Sequence, residues 1–225
     1  MEKISTIGLD LAKQVFQVHG ADAAGHAVLR KQVRRGELLR FFGSLKPCVV
    51  AMEACGSAHY WGREIGRLGH EVRLIAPAYV KPFVKRGKSD AADAEAICEA
   101  AQRPCMRFVE VKSAERQAGA LVFRTRDLLV RQRTQAINAL RSHLAEFGMI
   151  APKGPANIAA LAARLGEPGE KLPVEARIML EVLADTIAAL DGRIAQLDAE
   201  IARRAREDET ARRLMTIPGV GPITA

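Results

Sequence analysis

From Ser113 to Gly148 the chain reads SAERQAGALVFRTRDLLVRQRTQAINALRSHLAEFG, about 35 residues rich in alanine, leucine, arginine and glutamine with no internal proline. That run specifies one long helix closed by a glycine. After a turn region marked by proline and glycine, Leu180, Leu183, Ile187, Leu190, Ile194, Leu197 and Ile201 recur at intervals of three and four, the seam of a coiled coil. Both helices need a partner for their apolar stripes. An antiparallel hairpin within one chain and a homo-oligomer through the same seam satisfy that need equally well.

Upstream of Pro104 the pattern is different. ISTIGLD, KQVFQVHGAD and HAVLRKQVR read as three successive strands, with a turn at Gly25 before the third. GELLRFFGSL has helical spacing and stops at Pro47, and CVVAM is a continuous apolar run typical of a strand covered on both faces. SAHYWGREIGRL follows as a helix with Ser57 as its N-cap, and HEVRLIAP as a fifth strand ending at Pro77. The expected architecture is an α/β domain over residues 1–102 with a mixed five-stranded sheet, then a helical coiled-coil arm over 103–210. Residues 211–225 contain LMTIPGVGPITA, a short helix, a PGVG turn and the start of another helix. Such a turn suits a helix-hairpin-helix module, where glycine lets backbone N–H groups approach a phosphate, and it equally suits an ordinary connection.

With 48% apolar residues, a chain of 225 residues can bury one good core and carry an appendage. No apolar run approaches the roughly 18 residues that cross a bilayer, and the N-terminus goes directly into a strand pattern, so a cytoplasmic protein with no membrane partner is expected. Cys48, Cys55, Cys98 and Cys105 form no CxxC pair and are expected to be reduced. The net charge of +8 lies in the first two-thirds of the chain, because residues 151–225 balance ten Lys/Arg against eleven Asp/Glu. A polyanion is the natural partner.

Against that basic background four acids stand out. Asp10 ends the first strand, Glu53 follows the fourth, and Asp90 and Asp93 sit three apart at the start of a helix in KRGKSDAADAEAICEAA. Each alone has an ordinary reading: Asp10 as a cap, Glu53 as a loop acid, the Ser89–Asp93 stretch as a helix start whose acids suit the positive dipole end. Together they point to a metal site, since clustered carboxylates repel unless a cation or proton neutralises them. Hard oxygen donors favour Mg²⁺ or Mn²⁺, which can activate a nucleophile and stabilise the leaving oxygen of a phosphodiester. Lys81, Lys85, Arg86 and Lys88 would hold the strand being cut, together with Arg124, Arg126, Arg131 and Arg133 on the long helix.

IGLDLAKQVFQVHGAD, MEACGSAHYWGREIGRLGHEVRLIAPAYVKPFVKRGKSDAADAEAICEAA and TIPGVGPITA, in that order, resemble the DEDD transposases of the insertion-sequence one-ten family. The resemblance extends along the whole chain. It implies an RNase H-like, RuvC-type N-terminal domain whose catalytic, metal-binding acids are Asp10, Glu53, Asp90 and Asp93, a coiled-coil segment, and the beginning of a C-terminal transposase domain. It further implies DNA as substrate, a structured guide RNA as partner, and a nucleophilic serine in the part of the C-terminal domain beyond Ala225, so that this chain alone is expected not to complete strand exchange. Three other readings compete. A Holliday-junction-resolvase-like nuclease would need no arm or PGVG motif, and an actin-like sugar kinase would need glycine-rich phosphate loops that the sequence lacks. A non-catalytic nucleic-acid-binding or assembly fragment is the third.

Overall fold

The computed structural model describes residues 4–85, 89–150, 154, 157, 158, 160, 165 and 172–225. The strands are β1 (Thr6–Asp10), β2 (Val15–Ala21), β3 (Ala27–Arg34), β4 (Val49–Glu53), β5 (Glu71–Ile75) and β6 (Phe108–Val109). The helices are α1 (Leu38–Gly43), α2 (Ala58–Arg67), α3 (Pro77–Val80), α4 (Asp90–Ala101), α5 (Ala114–Ala145), α6 (Val174–Glu207) and α7 (Glu209–Leu214). The chain divides into two compact units, 1–117 and 118–225.

In the first unit the strands lie in the order β3-β2-β1-β4-β5-β6. β1, β4 and β5 are parallel neighbours, and β2 runs antiparallel to both β1 and β3. This is the expected RNase H-like sheet with one addition. The two-residue β6 pairs antiparallel with β5 through Leu74–Val109 and Ile75–Phe108, so the sheet has six strands rather than five. A strand that short, followed closely by Lys112 and a helix, carries no readable alternation.

The sheet is covered on both faces. Ile7, Leu9, Phe16, Val18, Val50, Met52 and Leu74 pack against Leu38 and Phe42 of α1 and Trp61 and Ile65 of α2. On the other face Ala51 and Ile75 meet Ala96, Ile97, Ala100 and Ala101 of α4. β4 therefore alternates between two cores, which is why its sequence is apolar without a break.

Gly8 sets how closely α4 approaches. A Cβ at this position would stand 2.1 Å from the Ala94 carbonyl oxygen and 2.5 Å from the Cys98 nitrogen. Only glycine in β1, facing a helix with alanine at its contact positions, lets α4 lie directly on the strand. Its N-cap is Ser89, whose side chain accepts from the Ala92 N–H at 3.3 Å. Ser57 does not cap α2 as expected. It adopts the left-handed region, φ 69°, and its hydroxyl makes no capping hydrogen bond. An N-cap accepts from inside the first turn while its own backbone is extended, and the left-handed geometry redirects the side chain.

In the second unit α5 and α6 form an antiparallel hairpin. Ile137, Leu140 and Leu144 pack with Leu180, Leu183 and Ile187 in one apolar cluster. Arg126 pairs with Asp198, and Arg133 with Asp191 at 2.7 Å, locking the register between the helices. The seam of α6 is thus met by α5 of the same chain. After α7, Ile217-Pro218-Gly219-Val220 makes a tight turn, with Val220 N–H donating to the Ile217 carbonyl at 3.0 Å and Gly219 at φ 85°. Proline then glycine at the two central positions fits a type II turn. Among the described residues, no helix is long and apolar enough to cross a membrane.

Candidate metal centre and its surroundings

Parallel pairing of β1 and β4, with Leu9 opposite Met52, brings Asp10 and Glu53 to the same C-terminal end of adjacent central strands. Gly8 and Asp10 share a face of β1, because side chains alternate along a strand. The helix that crosses at Gly8 contacts it through Ala94 and Cys98, and one turn toward its start lie Asp90 and Asp93. The close crossing therefore delivers both helix acids to the strand acid. Carboxylate oxygens of Asp10, Asp90 and Asp93 all lie within 4.8 Å of one another.

The electrostatics follow from that crowding. Burial is the main reason the Asp10 carboxyl is pushed up to about 6, with the charges of Asp93, Asp90 and Glu53 adding to it and a backbone hydrogen bond from Leu11 opposing it. Glu53 is also raised, first by burial and then by Asp93. It stands at the margin, outside the 4.8 Å group but lining one pocket with Asp93 and Lys81. All four acids of the sequence analysis thus belong to one neighbourhood, three as a tight group and the fourth beside it. Three converging carboxylates fit a hard divalent cation, which takes oxygen ligands and relieves their repulsion.

The basic residues divide differently. Lys81 is exposed in the short turn after α3, at the mouth shared with Glu53 and Asp93. Lys85 is held by Glu95, Nζ to Oε1 at 2.6 Å, and the same carboxylate lies 3.7 Å from Arg30. Arg86 and Lys88 lie outside the described residues. On α5, Arg124 is exposed and Arg131 pairs with Asp127 one turn earlier, whereas Arg126 and Arg133 are the interhelical partners of Asp198 and Asp191. A basic run in sequence does not reveal which cations acquire carboxylate partners on folding.

Two features escaped sequence reasoning. The close approach at Gly8 was signalled only by a glycine inside a strand pattern. The other is Arg35, just past β3, whose guanidinium lies over the rings of Trp61 and Phe16 at 5.1 and 5.8 Å.

A family model described as a transposase, the IS110 DEDD type, matches residues 7–149. The "Probable family 20 transposase" of Pseudomonas aeruginosa is 52% identical over 99% of this chain and 66% of its own length. The chain belongs to the IS110-type DEDD transposase family. The "Putative transposase y4pF/y4sB" of Sinorhizobium fredii is 45% identical over all of this chain and 58% of its own length. The chain thus spans roughly three-fifths to two-thirds of the length of these family relatives. Among solved structures, T. thermophilus RuvC in complex with a Holliday junction substrate is 13% identical, with a TM-score of 0.34, covering 46% of this chain and 98% of that one.

Proposed function

We propose that this chain carries the acidic strand-cleavage site of an insertion-sequence transposase, in which Asp10, Glu53, Asp90 and Asp93 hold Mg²⁺ or Mn²⁺ while DNA is cut and exchanged. The observation that carries the reading is the meeting of Asp10, Asp90 and Asp93 within 4.8 Å in a protein of net charge +8. A bound divalent cation would neutralise the scissile phosphate and favour the deprotonated form of the attacking hydroxyl.

The protein's own groups do the positioning. Asp10 is fixed to the sheet, so its carboxylate keeps its place when the helix acids adjust. Asp90 and Asp93 ride on α4, held to the strand through the Gly8 contact. Lys81 presents an ammonium beside Glu53 and Asp93, where a phosphate entering the site can exchange water for it. Lys85, Arg86 and Lys88, and separately Arg124 and Arg131 on α5, add further phosphate contacts, Lys85 and Arg131 by releasing Glu95 and Asp127. Arg126 and Arg133 contribute to DNA contact only by exchanging a carboxylate partner for a phosphate. A structured guide RNA is the second nucleic acid this reading requires. Self-association through the helical arm is supported by Leu121, Leu128, Met179 and Val182, which stay exposed on the hairpin.

Mn²⁺ binding to the whole chain, followed by electron paramagnetic resonance, tests the reading. Wild-type protein is expected to bind Mn²⁺ and to lose that binding on Asp10→Asn or Asp93→Asn. Wild-type protein that binds no divalent cation would sink the proposal.

A further inference from the structure

Residues 27–46 contain six Lys/Arg and a single acid, Glu37. Elsewhere the arginines of this protein commonly find carboxylates: Arg67 with Glu64, Arg73 with Glu71, Arg103 with Glu99, Arg203 with Glu200 and Glu207. Among the described residues Arg34, Arg35 and Arg40 have no such partner, nor has Lys13 on the facing β1–β2 turn. A cluster of cations with one acid among them, at one end of a sheet, leaves a positive surface open to an external anion.

Arg35 is the ordered member of the cluster. Its backbone N–H donates to the Gln14 carbonyl at 2.7 Å and its Nη1 to the Lys13 carbonyl at 3.4 Å, across the turn that follows Asp10. Its guanidinium rests on the Trp61 and Phe16 rings, and those are 96% and fully buried, so the platform beneath it is rigid. A planar cation fixed by stacking loses little side-chain entropy when it meets a phosphate. Tyr60, in the first turn of α2, is 43% exposed and stands edge-on to the same Trp61 ring, ring centroids 5.0 Å apart.

The topology puts this surface at the same end of the sheet as the acids, with the Phe16–Trp61 platform on the α1–α2 face and Asp10 on the α4 face, so that a strand joining them crosses the sheet end. β3 pairs with β2 so that Arg34 faces Val15, and β2 pairs with β1 so that Gln17 faces Asp10. The C-terminal end of β3 is therefore the sheet end that carries Asp10 and Glu53. Two strand spacings, about 10 Å, separate β3 from β1. α2 also begins at this end, directly after β4 and Glu53.

We propose that Arg35, with Lys13 and Arg34 around it and Tyr60 against the same Trp61 ring, forms a second nucleic-acid subsite on the β3 side of the acidic cluster, opposite the Lys81 side. Its ligand is a single-stranded phosphodiester chain. Arg35 holds a phosphate within a few nucleotides of the one at Asp10, and Tyr60 stacks on an unpaired base. The path of the strand across the sheet end thereby runs between the β3 side and Lys81, over the acids. The inference rests on the proposed strand-cleavage reading, since it assigns a path to that same strand.

The test is fluorescence-anisotropy binding of short single-stranded DNA and RNA oligonucleotides to the whole chain over a series of salt concentrations. Arg35→Gln is expected to lower the slope of log K against log salt by about 0.7, the single-strand value for one lost phosphate contact. Tyr60→Ala is expected to weaken binding about 5- to 150-fold without changing the slope, because stacking is not ionic. Arg35→Lys keeps the charge but not the stacked plane, and should keep the slope while binding more weakly. Arg67→Gln, whose cation is already paired with Glu64, should change neither. Thermal melts of each variant separate a lost contact from a lost fold. The DNA and RNA arms show which strand occupies the subsite, and either one satisfies the proposal. Folded Arg35→Gln with an unchanged slope on both strands overturns the subsite, even where Asp10→Asn still abolishes Mn²⁺ binding and so leaves the cleavage reading intact. Wild-type protein that binds neither strand likewise overturns the subsite, while absence of Mn²⁺ binding is what overturns the cleavage reading.

Discussion

Charge is handled in opposite ways in the two units of this molecule. Along the α5–α6 hairpin opposite charges are matched across helices, Arg126 with Asp198 and Arg133 with Asp191, and along helices, Arg203 and Arg204 with Glu200. At the end of the sheet like charges are gathered, and the strand acid among them is pushed up to about 6. Matched charges fix a register and ask for nothing further. Gathered carboxylates raise the free energy of the empty fold and lower it again when a cation arrives, so they mark a place built for a ligand. The lesson is that the two kinds of charge cluster are told apart by partners, not by composition.

The largest expected effect lies in the matched region. Leu140 is fully buried between the hairpin helices, and Leu140→Ala should cost about 2–5 kcal/mol in chemical denaturation. Divalent-cation binding to whatever fraction remains folded should be unchanged. A parallel loss of cation affinity would show that the two regions are not energetically separate.

Gly8→Ala comes next and reverses the pattern. The added Cβ would stand 2.1 Å from a backbone oxygen, so α4 must lift from β1, at a cost of about 1–3 kcal/mol for overpacking. Asp90 and Asp93 move with the helix, and Mn²⁺ affinity should collapse although no ligand has been altered. Retained affinity would mean that the close crossing does not position the acids.

The pH dependence sharpens the comparison. A carboxyl of ordinary value 3.8 that is raised to about 6 in the fold binds its proton more tightly there than in the unfolded chain. Stability is then greatest below about pH 4 as far as this group is concerned, falls as pH rises from about 4 to 6, and stays reduced above that. Allowing for solvent screening at a half-buried site, the loss should be about 1 kcal/mol. Asp10→Asn should therefore raise the melting temperature of metal-free protein at pH 7.5 and abolish its further rise on adding Mg²⁺. A destabilised Asp10→Asn protein would contradict the argument from burial and repulsion.

The smallest effect belongs to a single matched pair. A double-mutant cycle on Arg126→Ala and Asp198→Ala should give a coupling of about 0.5 kcal/mol, because both side chains are partly exposed, 25% and 41%, and it should shrink as salt increases. A coupling of several kcal/mol would place the pair among buried ion pairs and make it a structural keystone.

Much of this was written in the one-dimensional pattern. Strand and helix types follow from periodicity, as in the unbroken apolar run of β4 or the three-four spacing of α6, because burial of a face imposes its period on the sequence. Asp10, Glu53, Asp90 and Asp93 were legible as a group, since strand ends and a helix start are places the sequence marks with turns and caps. Other features depend on distances between residues far apart in the chain. Ser57 looks like an N-cap and is not one, because the backbone entering α2 turns left-handed there. β6 exists only because β5 offers an edge for Phe108 and Val109 to pair with. Arg126 and Arg133 read as free cations until α6 folds back with Asp198 and Asp191 at the matching heights. Arg35 became part of an ordered platform only when β2 and α2 placed Phe16 and Trp61 beneath it. Local periodicity, turn chemistry and residue type were determined by the sequence alone, because each acts within one or two turns of the chain. The partner of each charge, and the approach of α4 to Gly8 that gathers the acids, were decided by tertiary structure, because contact energies depend on ångström separations that no linear spacing encodes.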